Sequence, residues 1–381
     1  MLSLFCRVDI ETFSHKTVTR EFLEPTGEKE DTPIMARQSR LFVVAVVIAI
    51  VGVVAVSLVL RERLRCAGFA GATVTATELP SEPPPAGSLR IATWNVRNFP
   101  LDERPQTADL GFSRRTNICD LEATLGGLDA DLLGLQEVCD TRRFPPILRR
   151  ATAGRRMRVL FSSGGGRFGQ HLAIAWDDDA LELVGGPHEI TEVMFDAGMR
   201  PAFAASLQSR RPGGVVFTFV VVHLEAGADG FANRRRQNRA LAAWVDRWVE
   251  EVGTPNLIVV GDFNSTGTAA GGENGELQST DAILGGSGLH RLPNVTGCSE
   301  YWEGSGEPDG VQVASLLDHV YLRGFSPDAV TAPLRSWLHC ARFGCSDLVS
   351  RLGEEDGTFW DVSDHCPLTF ELRASEPEGQ N

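Results

Sequence analysis

Residues 215–222 read VVFTFVVV and residues 256–260 read NLIVV. Continuous apolar runs of this length and β-branched content predict strands covered on both faces. Between them, FANRRRQNRALAAWVDRWVEE (231–251) sets Leu241, Trp244, Val245, Trp248 and Val249 at helical spacing. That pattern predicts an amphipathic helix packed on a sheet. Strand and helix patterns alternate in this way from about Leu89 onward without an internal repeat, which places the chain in the α/β class.

Working back toward the N-terminus, ELPSEPPPAGS (78–88) closes a segment rich in Pro, Ser and Gly that reads as an extended linker over residues 61–88. Before it, LFVVAVVIAIVGVVAVSLVL (41–60) carries no charge and no polar stripe. Twenty such residues are what a helix needs to cross a bilayer, so 41–60 is expected to be a transmembrane signal anchor or uncleaved export signal. Arg37 and Arg40 precede the run and Arg61, Arg63 and Arg65 follow it, which gives no orientation by positive charge. Cys66 follows Leu-Arg rather than small residues, against a lipoprotein anchor. Residues 1–40 form an N-terminal tail. Both lysines of the chain, Lys16 and Lys29, lie before Met35, so residues 1–34 are compositionally foreign to the rest, as a tail or a start codon taken too early would be. The expected catalytic domain is 89–375, with 376–381 as a C-terminal tail.

The 381 residues are 43% hydrophobic and 23% charged, which excludes wholesale disorder. A net charge of −14 argues against affinity gained by coating nucleic acid with positive charge, but leaves room for an enzyme that handles phosphates locally. Beyond Cys66 lie Cys119, Cys139, Cys298, Cys340, Cys345 and Cys366. An even number is compatible with three disulfides in an exported domain, or with buried thiols in a cytosolic one. HCARFGC (339–345) offers a short loop for Cys340 and Cys345 to close, although spacing alone does not determine pairing. No CxxC is present, which disfavours a zinc knuckle.

Polar groups follow apolar runs at several strand ends: Asn95 in IATWNVRNF, Glu137 in LLGLQEV, Arg200 in GMRPAF, and His223 in VVVHLEAG. Asp262 and Asn264 in IVVGDFNS, Asp318 in SLLDHVYL, and Asp364 with His365 in SDHCPL continue the series. Strand mouths combine rigid backbone with solvent access, as catalytic groups require. Taken singly, each has a plainer account: a solvated Glu at a strand end, a turn Asn, a helix-capping Asp, a solvated Arg.

Taken together and in this order, over residues 89–373, the motifs resemble the endonuclease/exonuclease/phosphatase family. The resemblance implies a four-layer α/β sandwich of two stacked sheets with helices outside, and divalent-metal-dependent hydrolysis of phosphate esters. It implies that Glu137 holds the ion with Asn95 and Asp364 near it, Mg²⁺ being expected and Mn²⁺ or Ca²⁺ possible alternatives. His365 would be oriented by Asp318, and Asp262 would orient or deprotonate the attacking water. Asn264 and His223 would donate to non-bridging oxygens, and Arg200 would add charge. One departure stands out: where pancreatic deoxyribonuclease has an acid supporting a second histidine, RFGQHLAIAW (167–176) has Gly169 or Gln170. This favours a single His365–Asp318 pair with Asp262.

For the substrate, Arg234, Arg235, Arg236 and Arg239 open the helix after His223, where positive charge and a helix N-terminus favour phosphate. A solvated helix face explains them equally well. HLEAG followed by an arginine-rich helix resembles secreted bacterial nucleases of the family, and no long apolar hairpin suggests a sphingomyelinase. The sequence therefore predicts a membrane-anchored, extracytoplasmic phosphodiesterase with nucleic acid as substrate and no protein partner implied. The alternatives are a phosphatase or phospholipase acting on a phosphorylated lipid or small molecule, and a catalytically silent binding module. The last is disfavoured because Glu137, Asp262, Asn264, Asp318 and His365 are all present.

Overall fold

The computed structural model describes residues 46–47, 74, 78–100, 116–166, 168–196, 198–265, 275–302, 311–349 and 357–374. In chain order the elements begin with β1 (Ser88–Phe99), α1 (Ile118–Gly127), β2 (Leu132–Val138), α2 (Phe144–Ala151), β3 (Met157–Phe161) and β4 (His171–Asp177). They continue with β5 (Leu181–Ile190), β6 (Ala202–Ser209), β7 (Val216–His223), α3 (Phe231–Val252), β8 (Leu257–Asp262) and α4 (Glu276–Gly285). The last are β9 (His290–Arg291), β10 (Glu300–Trp302), β11 (Val311–Ser315), β12 (Asp318–Arg323), β13 (Val330–Ser336), α5 (His339–Phe343), β14 (Leu348–Val349), α6 (Gly357–Asp361) and β15 (Leu368–Arg373).

Two six-stranded sheets run in the orders β13-β15-β1-β2-β4-β3 and β5-β6-β7-β8-β12-β9. Each has one parallel pair near its centre, β1 with β2 and β7 with β8, between antiparallel neighbours. The run 215–222 explains the layering, because successive side chains of a strand face opposite sides. Phe217, Phe219 and Val221 enter the core between the sheets with Ile91, Ile174, Ile258, Val260 and Phe370. Val220 and Val222 turn outward onto Leu241, Trp244 and Val245 of α3. On the other sheet, Ala92, Trp94, Leu133 and Leu135 face outward onto Leu121 and Leu125 of α1 and Ile147 and Leu148 of α2. The result is an α/β sandwich, with apolar side chains filling three successive interfaces. The sheets come so close at Gly134 that a Cβ there would lie 2.6 Å from Val260 Cγ2 and 2.9 Å from Val221 Cγ2. Packing density, rather than turn geometry, requires glycine at this position.

Packed structure begins ahead of Leu89. Glu78 O accepts from Leu338 N at 3.3 Å, and the Arg90 guanidinium bonds Glu82 O. Leu79 is buried in the cluster beneath α1. The end of the Pro-rich segment is thus strapped to the domain, because a leucine and two backbone carbonyls find partners there. The cysteines also differ from the short-loop expectation: Cys298 pairs with Cys345 and Cys340 with Cys366, while Cys139 is a thiol 3.8 Å from Asn98 Oδ1. Apart from Val46 and Val47, the apolar run 41–60 lies outside the described residues, as do the two terminal tails. Among the described residues, no helix is long and apolar enough to cross a membrane.

Candidate active site

Strand direction brings the polar groups together. β1, β2, β7 and β8 end at the same edge of the sandwich, where the antiparallel β12 and β15 begin. Asp262 at the end of β8 pairs in register with His223 on one side and with Asp318 on the other. Asn95 lies opposite Gln136, next to Glu137. Gly261 makes the turn into Asp262 possible: its φ is +136°, and a Cβ would stand 2.1 Å from Val222 O.

At the centre, His365 Nδ1 donates to Asp318 Oδ2 at 2.8 Å. Its other ring nitrogen, Nε2, faces Asn95 Nδ2 at 3.5 Å and Asp262 Oδ2 at 3.7 Å. Asn95 Nδ2 donates to Asp262 Oδ2 at 3.1 Å, and the Asn264 amide donates to Asp262 Oδ1 at 2.8 Å. The assembly is clamped from behind. Ser299 Oγ accepts from the amides of Leu317 and Asp318, Ser363 Oγ donates to Asn95 O and accepts from His365 N, and Trp94 Nε1 donates to His365 O. Burial raises Asp262 above the usual carboxylate range. For His365, burial opposes the charged ring, but Asp318 and Asp262 outweigh it and hold the imidazolium well above the ordinary histidine value.

Glu137 lies alongside, with Oε2 accepting from Asn98 N at 2.7 Å. Burial first, then the like charge of Asp364, raises its carboxyl, with Arg200 and His365 opposing. Hard oxygen donors, buried and crowded by like charge, fit a divalent cation, which would neutralise them. Of the residues expected to hold it, Asn95 hydrogen-bonds the Glu137 carboxyl and Asp364 acts on it as a neighbouring like charge. Asp262, Asp318 and His365 also bring ligand atoms within 4.8 Å of one another. In that second set, however, His365 Nδ1 and Asp318 Oδ2 already bond each other. Arg97, Asn98, Glu137 and Asn264 all have φ between 43° and 64°, left-handed values that are uncommon away from glycine and concentrate at functional sites.

The peripheral residues divide. His223 Nε2 stands 3.6 Å from Glu137 Oε1 and 3.5 Å from Asp262 Oδ2. Burial, helped by Arg200 and His365, holds its ring well below the usual histidine value, hence neutral. No described side chain partners its Nδ1, as expected for a site without an acid to support it. Gln170 instead accepts from the Arg200 guanidinium and donates to Asn98 Oδ1 at 2.6 Å. Arg200 also reaches Leu224 O at 3.4 Å, the carbonyl that Asn264 Nδ2 bonds at 3.2 Å. Arg234 does not face phosphate: it is 1% exposed and bonds Glu276 at 2.5 and 3.1 Å. The correction has a simple cause, since the helical turn that exposes Arg235, Arg236 and Arg239 carries Arg234 inward.

Sequence reasoning missed Glu300. It is 5% exposed, bridges His365 as an antiparallel neighbour, and its Oε2 has no hydrogen-bond partner among the described residues. Burial raises its carboxyl well above the usual range, with Asp364, Asp262 and Asp318 adding to the shift against His365. Its short strand has no apolar run, so nothing in CSEYW signals a buried acid.

No curated protein matches the chain. Among solved structures, the human Nocturnin catalytic domain with a bound sulfate anion shares 17% identity, with 76% of this chain and 95% of that chain covered and a TM-score of 0.49. A Bacteroides thetaiotaomicron protein of the endonuclease/exonuclease/phosphatase family shares 19%, covering 76% and 98%, with a TM-score of 0.47. The mannosyl-6-phosphatase of Bacteroides thetaiotaomicron shares 18%, covering 74% and 99%, with a TM-score of 0.46. The model of the Endonuclease/Exonuclease/phosphatase family matches residues 92–365, well over half of the sequence, and the chain belongs to this family of phosphate-ester hydrolases.

Proposed function

We propose that the chain is a Mg²⁺-dependent phosphodiesterase that cleaves polynucleotides. The observation that carries the chemistry is the His365–Asp318 hydrogen bond, with Nε2 of the ring facing the Asp262 carboxylate at 3.7 Å and Asn95 Nδ2 donating to that same carboxylate, set beside Glu137. Glu137, Asn95 and Asp364 would hold the cation, which supplies charge neutralisation for the phosphoryl oxygens. Asp262, raised toward neutrality, orients a water and takes its proton as the water oxygen bonds phosphorus; the P–O bond to the leaving sugar oxygen breaks, and that oxygen takes a proton from solvent. His365, kept charged by Asp318, donates from Nε2 to a phosphoryl oxygen as negative charge builds there. Neutral His223 and the second Nδ2 hydrogen of the Asn264 side chain add hydrogen bonds, and Arg200 adds fixed charge without itself exchanging a proton.

The exposed arginines 235, 236 and 239 support a polyanionic substrate. The test is incubation of the full chain with plasmid and single-stranded DNA in Mg²⁺, beside EDTA and His365→Ala controls. Cleavage lost in both controls is expected. Intact DNA together with phosphate release from a small ester or lipid headgroup would instead make it a phosphatase or phospholipase.

For location, residues 41–60 would anchor the enzyme with its domain outside the cytoplasm, a placement supported by the Cys298–Cys345 and Cys340–Cys366 bridges. Extraction of the native protein by alkaline carbonate, or protection of the domain from added protease in intact cells, would overturn this placement.

A further inference from the structure

We propose that Phe195 and Arg236 form a stacking platform for an unpaired nucleotide of a polynucleotide strand entering the site, an inference that rests on the nuclease reading above. Phe195 is 38% exposed, and it is the one aromatic side chain among the exposed large hydrophobics of the described residues. The Arg236 guanidinium lies over its ring, 4.1 Å from the centroid. Arg235 and Arg239, one helical turn apart, are exposed on the same part of α3. A single aromatic face backed by arginine, with further guanidiniums beside it, fits a base and its flanking phosphates better than it fits protein or lipid.

The platform is tied to the catalytic groups through hydrogen bonds. Gln237, buried next to Arg236, donates from Nε2 to Val193 O at 3.2 Å and accepts from Glu225 N at 2.9 Å. It therefore joins the loop carrying Phe195 to the loop that follows His223. In that second loop, Leu224 O accepts from both Arg200 and Asn264. Phe195 N also donates to Met199 Sδ at 3.3 Å, one residue before Arg200. A strand whose scissile phosphate lies at Arg200 and Asn264 continues naturally over this rim. Glu192 is engaged by Arg247 at 2.8 Å, which leaves Asp196 and Asp229 as the exposed acids nearby in these loops.

The test is fluorescence anisotropy of a labelled oligothymidylate of roughly a dozen nucleotides against the full chain in detergent, with EDTA present to prevent turnover. Phe195→Ala is expected to weaken binding about tenfold while leaving the salt dependence of affinity unchanged, and Phe195→Trp to restore it. Arg236→Ala should weaken binding and lower the slope of log affinity against log salt by about 0.7. Wild-type affinity retained in both alanine variants would overturn the platform and leave the nuclease reading intact. Failure of the wild type to bind the oligonucleotide would also overturn the platform, while the nuclease reading itself falls only if DNA stays intact in the Mg²⁺ cleavage assay.

Discussion

Asp318 Oδ2 accepts a 2.8 Å hydrogen bond from His365 Nδ1, joining the first residue of β12 to the segment before β15 and crossing from one sheet to the other. The bond fixes the imidazole plane and presents Nε2 to Asn95 and Asp262. It also supplies the main charge that keeps the ring protonated against its burial.

Asp318→Asn removes that charge while preserving shape. It should lower kcat/KM by about 10²- to 10³-fold, the range for losing one charged donor that stabilises the transition state. Because Asp318 raises His365, the alkaline limb of the pH–rate profile should also move to lower pH. A profile unmoved in the variant would show that another group sets that limb.

Glu137 provides a test separate from turnover. An excess of divalent cation should raise the melting temperature of the wild type, with a gain of about 2.7 kcal/mol at a hundred times the dissociation constant. Glu137→Gln should lose most of this gain. Since the Glu137 carboxyl is raised, protons compete with the ion, and calorimetric affinity should weaken as pH falls. Equal metal-induced stabilisation of variant and wild type would move the ion away from Glu137.

Arg234 and Arg235 are neighbours with opposite fates. Arg234→Ala strips the buried Glu276 carboxylate, 2% exposed, of a two-point partner and should cost about 3–5 kcal/mol. Arg235→Ala changes an exposed side chain and should stay within about 0.5 kcal/mol. Chemical denaturation of the two variants checks the contrast, and similar losses would refute the assignment of Arg234 to structure.

Much of this was legible in the sequence because the relevant forces are local and periodic. The alternation in 215–222 and the helical spacing of Leu241, Trp244 and Val245 specify which side chains face which layer. The meeting of Glu137, His223 and Asp262 was legible because apolar runs end abruptly in polar residues at each of them. What stayed hidden depends on long-range approach. The partners of Cys340 and Cys345 lie 26 and 47 residues away. Arg234 is distinguished from Arg235 only by helix phase against α4. Leu79 belongs to the core only because α1 offers Gly127, where a Cβ would meet its Cδ1 at 2.4 Å.

Glu300 was hidden for the same reason, since only the bridge to His365 brings it beside the acids of the site. Its carboxyl is raised in the folded chain, so folding favours the protonated form. Below the ordinary glutamate range both states hold the proton, and Glu300 imposes no ionisation cost on folding. As pH rises above that range, the unfolded chain releases the proton while the folded chain retains it. Stability is then lost at up to about 1.4 kcal/mol per pH unit until the raised folded value is reached. Glu300→Gln keeps the shape and removes the titration. In EDTA, urea denaturation should find the variant more stable than wild type near about pH 8, with the advantage gone near about pH 4. An advantage of the same size at both values would mean that the carboxyl titrates alike in the two states, and that burial beside His365 leaves Glu300 ionised.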